Sequence, residues 1–170
     1  MAQRTKAFLR SDSRASLSAL NVWKSAELAI LGMDPLDAAF TVEYLESQLS
    51  ATRRDVKTFL LDQTRIAGVG NIYACEALFL AGISPRRKTH RLKKNAPELH
   101  GAIQEVLRAG IANRGTSFSD YVDAEGVSGE NQNALHVYGR EGQACPKCGS
   151  VIRRLVQGAR STFYCPECQR

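Results

Sequence analysis

The sequence has 170 residues, room for one domain or for one domain with a small metal-stapled module. Its 44% apolar content excludes wholesale disorder, and no run of about 18 apolar residues exists to span a membrane. The net charge of +6 is uneven: residues 1–50 hold five Lys/Arg and six Asp/Glu (−1), while residues 51–170 hold 18 and 11 (+7).

The chain begins with basic residues but lacks the apolar stretch of a signal peptide, so the expected location is the cytoplasm, in association with the nucleoid. Residues 1–33 show no convincing hydrophobic period. Asp34-Pro35 punctuates them, because the residue before proline is pushed out of the helical region. Thr41 then reads as the N-cap of a helix over Val42–Leu49, with Glu43 in the first turn where the helix dipole favours an acid. A second helix is expected from about Arg54 to Gln63, with Val56, Phe59 and Leu60 on one face.

Gly68-Val69-Gly70-Asn71 follows as a turn, since glycine takes positive φ cheaply. Such a turn either packs two helices closely or, through backbone N–H groups at the next helix start, binds an anion such as a phosphate. A third helix runs from Ile72 to about Leu80, stopped by Gly82 and Pro85. Arg86 to Lys94 holds six basic residues in nine and no acid, either a solvated loop or a field that gathers polyanions. Pro97 opens a fourth helix to about Ala112, with Ile103, Val106, Leu107 and Ile111 at core spacing. Asn113 to Gly142 reads mostly as loop.

Cys145, Cys148, Cys165 and Cys168 form two C-x-x-C pairs separated by 16 residues, inside the spacing window of structural zinc. Four thiolates close the tetrahedron, so one Zn2+ here would hold structure and do no chemistry. A disulfide hairpin is the rival, disfavoured by the absence of secretory features. Four thiolates and one Zn2+ add −2, giving about +4 for the zinc-loaded chain. Between the pairs, Val151–Val156 and Ser161–Tyr164 flank a turn at Gln157–Arg160, as a β-hairpin requires. Arg160 thus sits near the tip of a finger, as a solvated arginine or as a phosphate or groove contact. Cys75 reads as a small core residue; His90, His100 and His136 are scattered and receive no catalytic role.

The stretch Lys57-Thr-Phe-Leu-Leu-Asp62-Gln63 through Ile66-Ala-Gly68-Val-Gly70-Asn71-Ile-Tyr73-Ala-Cys75-Glu76 to Ile83-Ser-Pro85 resembles the helix–two-turn–helix segment of the formamidopyrimidine-DNA glycosylase and endonuclease VIII family. Gly115-Thr116-Ser117, Asp120-Tyr-Val-Asp123, Val137-Tyr138-Gly139-Arg140 and the terminal cysteines follow in the family's order, so the resemblance covers about residues 31–170. It implies that Asn71 bonds a phosphate beside a lesion and that Lys57 faces the DNA backbone. It further implies that Arg160 grips the phosphate of an extruded nucleotide and that Tyr138 lies near the DNA, with Gly68 and Gly70 shaping the turn. Together these would hold a bent duplex with one base flipped out.

Two departures bear on activity. The family begins with Pro-Glu at the mouth of a β-sandwich domain, and that proline amine attacks the sugar; here the chain begins Met1-Ala2-Gln3-Arg4. Residues 1–33 are read as a remnant of that domain. An unpositioned Ala2 amine would lose the effective molarity such attack needs. The family's lesion-covering loop carries an aromatic pair where this chain has Gly129-Glu130-Asn131, and Glu130 would place a negative charge near DNA.

The expected architecture is mainly α: a helical bundle containing the helix–two-turn–helix element, followed by a small β-hairpin zinc finger with four cysteine ligands. The expected organisation is an N-terminal segment at 1–33, a DNA-binding domain at 34–142 and the finger at 143–170. The expected function is binding of damaged, abasic or distorted double-stranded DNA by a truncated paralogue without glycosylase activity of its own. The alternatives are a glycosylase or abasic-site lyase using Ala2, a lysine amine or a partner chain, and a zinc-ribbon adaptor for protein or RNA.

Overall fold

The computed structural model describes residues 31–116 and 129–170, and Gly32–Arg170 form one compact unit. The expected remnant at 1–33 and the Ala2 amine lie almost wholly outside the described residues, as do Ser117, Asp120–Asp123 and Gly126–Ser128.

Helix α1 (Val42–Ser50) starts as predicted: the Thr41 hydroxyl accepts a hydrogen bond from the Tyr44 amide at 3.2 Å, and Leu45 and Leu49 are buried. Helix α2 (Val56–Leu60) is shorter than the expected Arg54–Gln63. At its start Asp55 is extended, because the chain here pairs with a later segment: the Val56 amide donates to the Arg87 carbonyl and the Thr89 amide to the Arg54 carbonyl. At its end the Asp62 carboxylate takes the Thr64 amide (3.1 Å) and hydroxyl (2.6 Å), a local side-chain turn that competes with further helix.

Helix α3 (Asn71–Leu80) buries six consecutive residues, Ala74 to Phe79, which means it is covered on all sides. Helix α4 (Ala96–Ala112) has Pro97 in its first turn and buries Leu99, Ala102, Ile103, Val106 and Gly110. Ile111, expected in the core, is 67% exposed. At 100° per residue it lies about 140° from Val106, off the buried face. Four α-helices are thus present among the described residues, with short 3-10 turns at Thr89–Arg91, Lys93–Asn95 and Asn131–Ala134.

Strands β1 (Arg153–Gln157) and β2 (Arg160–Tyr164) form an antiparallel hairpin in which Gln157 pairs with Arg160. The two-residue loop has positive φ at both Gly158 (55°) and Ala159 (60°), as a primed turn demands. The molecule therefore has two apolar clusters that share α3. One lies among the four helices and includes Phe40, Leu45, Phe59, Leu78, Leu99 and Ile103. The other joins Cys75 and Phe79 of α3 to Val137, Ile152, Cys145 and Cys165.

The turn before α3 is held from outside by the segment that precedes α1. The Gly32 amide donates to the Gln63 carbonyl (2.7 Å), and the Ala67 amide to the Met33 carbonyl (3.0 Å). A Cβ on Gly32 would stand 2.2 Å from the Arg65 carbonyl carbon, with only backbone around it to give way. Gly32→Ala is expected to destabilise the fold by about 1–3 kcal/mol. Thermal unfolding checks this, and an unchanged midpoint would show that this approach does not support the turn.

Candidate nucleic-acid interface and metal site

The four cysteine sulfurs lie within 4.8 Å of one another, and all four are free thiols. Cys145–Cys168 and Cys148–Cys165 are separated by 3.8 and 3.5 Å. A tetrahedral Zn2+ with Zn–S of about 2.3 Å needs sulfurs about 3.8 Å apart, so the set fits one structural zinc. The Ser150 hydroxyl and amide, hydrogen-bonded to Cys148, lower that thiol to about 6, whereas burial and the neighbouring sulfurs raise Cys165 and push Cys168 up to about 12; four thiolates this close need a cation among them. Buried Gln169 ties this knuckle to the end of α3: its side-chain oxygen accepts from the Cys165 amide (2.8 Å), and its nitrogen donates to the Ile83 carbonyl (3.0 Å).

From that anchor, β2 runs back along α3 and brings the finger tip to the N-terminal end of that helix. There one carbonyl, that of Ser161, accepts from Lys57 Nζ at 3.2 Å and from Asn71 Nδ2 at 3.0 Å. Asn71 Nδ2 also lies 3.4 Å from the Tyr138 hydroxyl. The opposite amide orientation would set Oδ1 against the Ser161 oxygen, so this donor orientation is the one the contacts require. Arg160 is exposed beside this junction. Lys57, Asn71, Tyr138 and Arg160, picked out from the sequence, are thus brought together.

Lys57 is fully enclosed, its ammonium beneath the finger and not on open surface. Burial pushes its pKa down; the neighbouring Cys75 thiol opposes this, and the Arg160 guanidinium adds to it. Cys75 is a buried core residue as expected, its thiol pushed up by burial.

Gly68 (φ 77°) and Gly70 shape the turn, and the Gln63 side chain clamps it by accepting from the Gly68 amide (2.8 Å) and donating to the Val69 carbonyl (2.9 Å). Both glycines are exposed, and a Cβ at Gly70, the N-cap of α3, would meet nothing within 4 Å. No side chain caps the helix, which leaves its first amides for another acceptor such as an anion.

Glu76 is the functional residue that sequence reasoning passed over. It is buried on α3, and its carboxylate accepts four hydrogen bonds: from the His136 amide (2.8 Å) and ring Nδ1 (3.0 Å), and from the Val137 and Tyr138 amides (2.9 Å each). Burial raises its pKa, but the bonds from His136, Tyr138 and Val137 outweigh this and hold the carboxyl below its usual value. The same bond, chief among several influences, raises His136. Tyr138, so placed, packs edge-on against Phe163 of β2 with ring centres 5.0 Å apart. An acid in an otherwise apolar helix was the available signal, but its partners lie sixty residues away. Glu130 is exposed, its amide bonded to the Asn113 carbonyl.

Residues 31–122 match the family model for the formamidopyrimidine-DNA glycosylase H2TH domain, and residues 142–170 match that for the zinc finger found in FPG and IleRS. The formamidopyrimidine-DNA glycosylase of Carboxydothermus hydrogenoformans is 48% identical over 147 residues, 86% of this chain and 56% of that protein. That of Neisseria meningitidis is 47% identical over 141 residues, 82% of this chain and 51% of that protein. The chain spans about half the length of the curated relatives it matches. Among solved structures, MutM (Fpg) of Thermus thermophilus superposes with TM-score 0.79 at 40% identity, covering 94% of this chain and 58% of that one. Lactococcus lactis Fpg, in complex with DNA containing an abasic site, gives TM-score 0.79 at 35% identity, covering 88% and 55%.

Removing zinc with a chelator should make residues 143–170 protease-sensitive and release the hairpin from α3, because the finger has too little apolar material to fold alone. Unchanged proteolysis of that end would contradict the structural role of the metal. Glu76→Gln should cost on the order of 3 kcal/mol near neutral pH, since an amide cannot accept four such bonds. Glu76 has a lowered folded pKa, so its contribution is present above the ordinary carboxylate range and fades as pH falls through the lowered value. His136 has a raised one, so its contribution is complete below about 6.5 and fades as pH rises through the raised value. The gap in unfolding temperature between wild type and Glu76→Gln should therefore widen as pH falls to about 6.5 and narrow once pH falls through the carboxylate range. A gap that keeps widening through the carboxylate range would remove the carboxylate from this role.

Proposed function

The chain belongs to the formamidopyrimidine-DNA glycosylase family, and from that premise we propose that residues 31–170 grip the phosphate backbone of damaged, abasic or distorted duplex DNA without themselves supplying the attacking amine. Family membership brings with it a DNA-binding helix–two-turn–helix region and a four-cysteine zinc finger. The observation that carries the proposal is the meeting of Lys57 and Asn71 at the Ser161 carbonyl, with Tyr138 on Asn71 and Arg160 next in the chain, in contacts that span up to 104 residues of sequence. A helix start without a side-chain cap and a fingertip guanidinium beside it form a donor set for phosphate oxygens, while the Asn71 side chain, its amide hydrogens taken by Ser161 and Tyr138, ties the turn to the finger.

In this reading each element has one task. Zinc holds the hairpin rigid, so Arg160 meets a phosphate with little entropy to lose. Lys57 fixes the finger to α2 and adds positive field from beneath it. Gly68 and Gly70 keep the backbone bare where phosphate approaches the start of α3. Glu76 sets the position of Tyr138. Lys57 is also the amine whose pKa burial depresses, the usual way to activate a lysine nucleophile, yet it is closed off under the finger from any sugar carbon. In organisation, residues 34–142 form the DNA-holding domain and 143–170 the finger. The absence of any helix long and apolar enough to cross a membrane among the described residues fits a cytoplasmic, nucleoid-associated protein.

Contacts to phosphates make binding weakly sequence-dependent and salt-sensitive, with log K falling by about 0.9 per unit of log salt for each phosphate neutralised. Arg160→Ala should weaken binding to every duplex by about tenfold and shrink the salt slope by about one. Borohydride trapping on a duplex with one abasic site provides the chemical test. A gel shift without a covalent adduct supports a grip separated from the chemistry. An abasic-dependent adduct would show that an amine of this chain attacks the sugar.

A further inference from the structure

Next to the junction lies a basic rim that the grip described above leaves unused. Two segments meet there: Asp55 and Lys88 form an isolated antiparallel bridge, the Val56 amide donates to the Arg87 carbonyl (2.9 Å), and the Thr89 amide to the Arg54 carbonyl (3.0 Å). Thr89 is buried, with its hydroxyl on the Thr52 carbonyl at 2.6 Å, and Leu92 is buried in the core. The Arg86–Lys94 loop is therefore anchored at two points.

Arg86 stands next to Pro85 in the turn closed by the Arg87 amide on the Ser84 carbonyl (3.0 Å), and Arg53 lies two residues before Asp55. Arg87 reaches the Arg170 carbonyl at 3.3 Å. Asp55 and Pro85 both meet the finger tip. Gln157, the cross-strand partner of Arg160, donates from Nε2 to Asp55 Oδ2 (3.1 Å) and to the Pro85 carbonyl (3.2 Å). Cross-strand partners project to the same side of a hairpin, so Arg160 and the rim are neighbours.

The charges of this rim are only partly neutralised within the protein. Asp55 is taken up by Lys88 at 2.8 Å, and Asp62 by Arg54 at 2.9 Å. Arg53 and Arg86 are exposed and have no ion-pair partner among the described residues. A loop kept basic only for solubility would not need this anchoring or this position.

Resting on the reading that the Ser161 junction grips DNA, we propose that Arg53 and Arg86 form an outer phosphate track. It takes the backbone of the same duplex beyond the phosphates held at Asn71 and Arg160. The predicted consequence is a dependence on duplex length: a short duplex reaches only the inner grip, and a longer one reaches both.

The test uses the full chain and two duplexes of about 11 and 25 base pairs, each with a central abasic analogue, titrated by fluorescence anisotropy over a series of KCl concentrations. Arg53→Ser with Arg86→Ser leaves the Lys88–Asp55 pair and the loop anchors intact, and circular dichroism verifies the fold. The wild type should bind the longer duplex more tightly, and the double variant should lose that preference while binding the short duplex as before. Its salt slope on the longer duplex should fall by about 1.8, two phosphate contacts at about 0.9 each. A double variant with wild-type affinity and slope on the longer duplex overturns the outer track. So does one that keeps duplex DNA but loses a single-stranded RNA of equal length, which would assign the rim to RNA. Arg160→Ser separates the two proposals. If it weakens both duplexes while the double variant changes neither, the inner grip stands and the track falls. If Arg160→Ser changes nothing, the grip itself is wrong, and the track falls with it.

Discussion

The docking of strand β2 along helix α3 is the constraint on which the other features depend. At one end of the contact, the cysteine knuckle is held by Gln169 to the Ile83 carbonyl. In the middle, Cys75 and Phe79 pack into the apolar cluster that includes Ile152 and Cys165. At the other end, Lys57 and Asn71 reach the Ser161 carbonyl. Detaching the strand at any of these points would separate the finger tip from the start of α3, and the donor set would no longer exist as a set. Zinc matters to the interface through this route: it makes no contact at the tip, but it stiffens the strand that reaches there.

Two buried charges flank this contact and are handled differently. Glu76 is satisfied by four donors, and the loop through Tyr138 is held as firmly as a buried carboxylate can hold it. Lys57 has the Ser161 carbonyl and, among the described residues, no carboxylate, and burial lowers its pKa. Side-chain oxygens of Asn71, Gln157 and Thr162 are buried without a hydrogen-bond partner among the described residues, all beside the fingertip. The Glu76 carboxylate is thus fully paired, while the seam under the tip is polar and incompletely paired. The unpaired atoms are oxygens, which cost stability and add negative partial charge, so the positive field at the tip comes from Lys57 and Arg160.

Cysteine spacing and glycine placement made the metal site and the turn legible because both are local: ligand geometry and positive φ act over a few residues. The Thr41 cap, helix α3 and the hairpin were legible for the same reason. The α2 boundaries were not. Asp55 is drawn out of the helix by a segment more than thirty residues away, and the Asp62 carboxylate diverts the chain at the other end. Ile111 was misplaced because its spacing fits the pattern of α4 only loosely, whereas burial follows the angle toward α3.

What the sequence by itself determined was the set of parts: mainly helical, a two-turn element with its glycines, four cysteines for one zinc, and the family to which such parts belong. Each follows from residue type at short spacing, where propensity and ligand chemistry decide. Only packing decided that one carbonyl gathers Lys57 and Asn71, that Glu76 holds the Tyr138 segment, and that Gln157 of the finger meets Asp55 and the Pro85 carbonyl. Those contacts join residues distant in sequence, and their geometry depends on the packing of the whole unit, which no local spacing encodes.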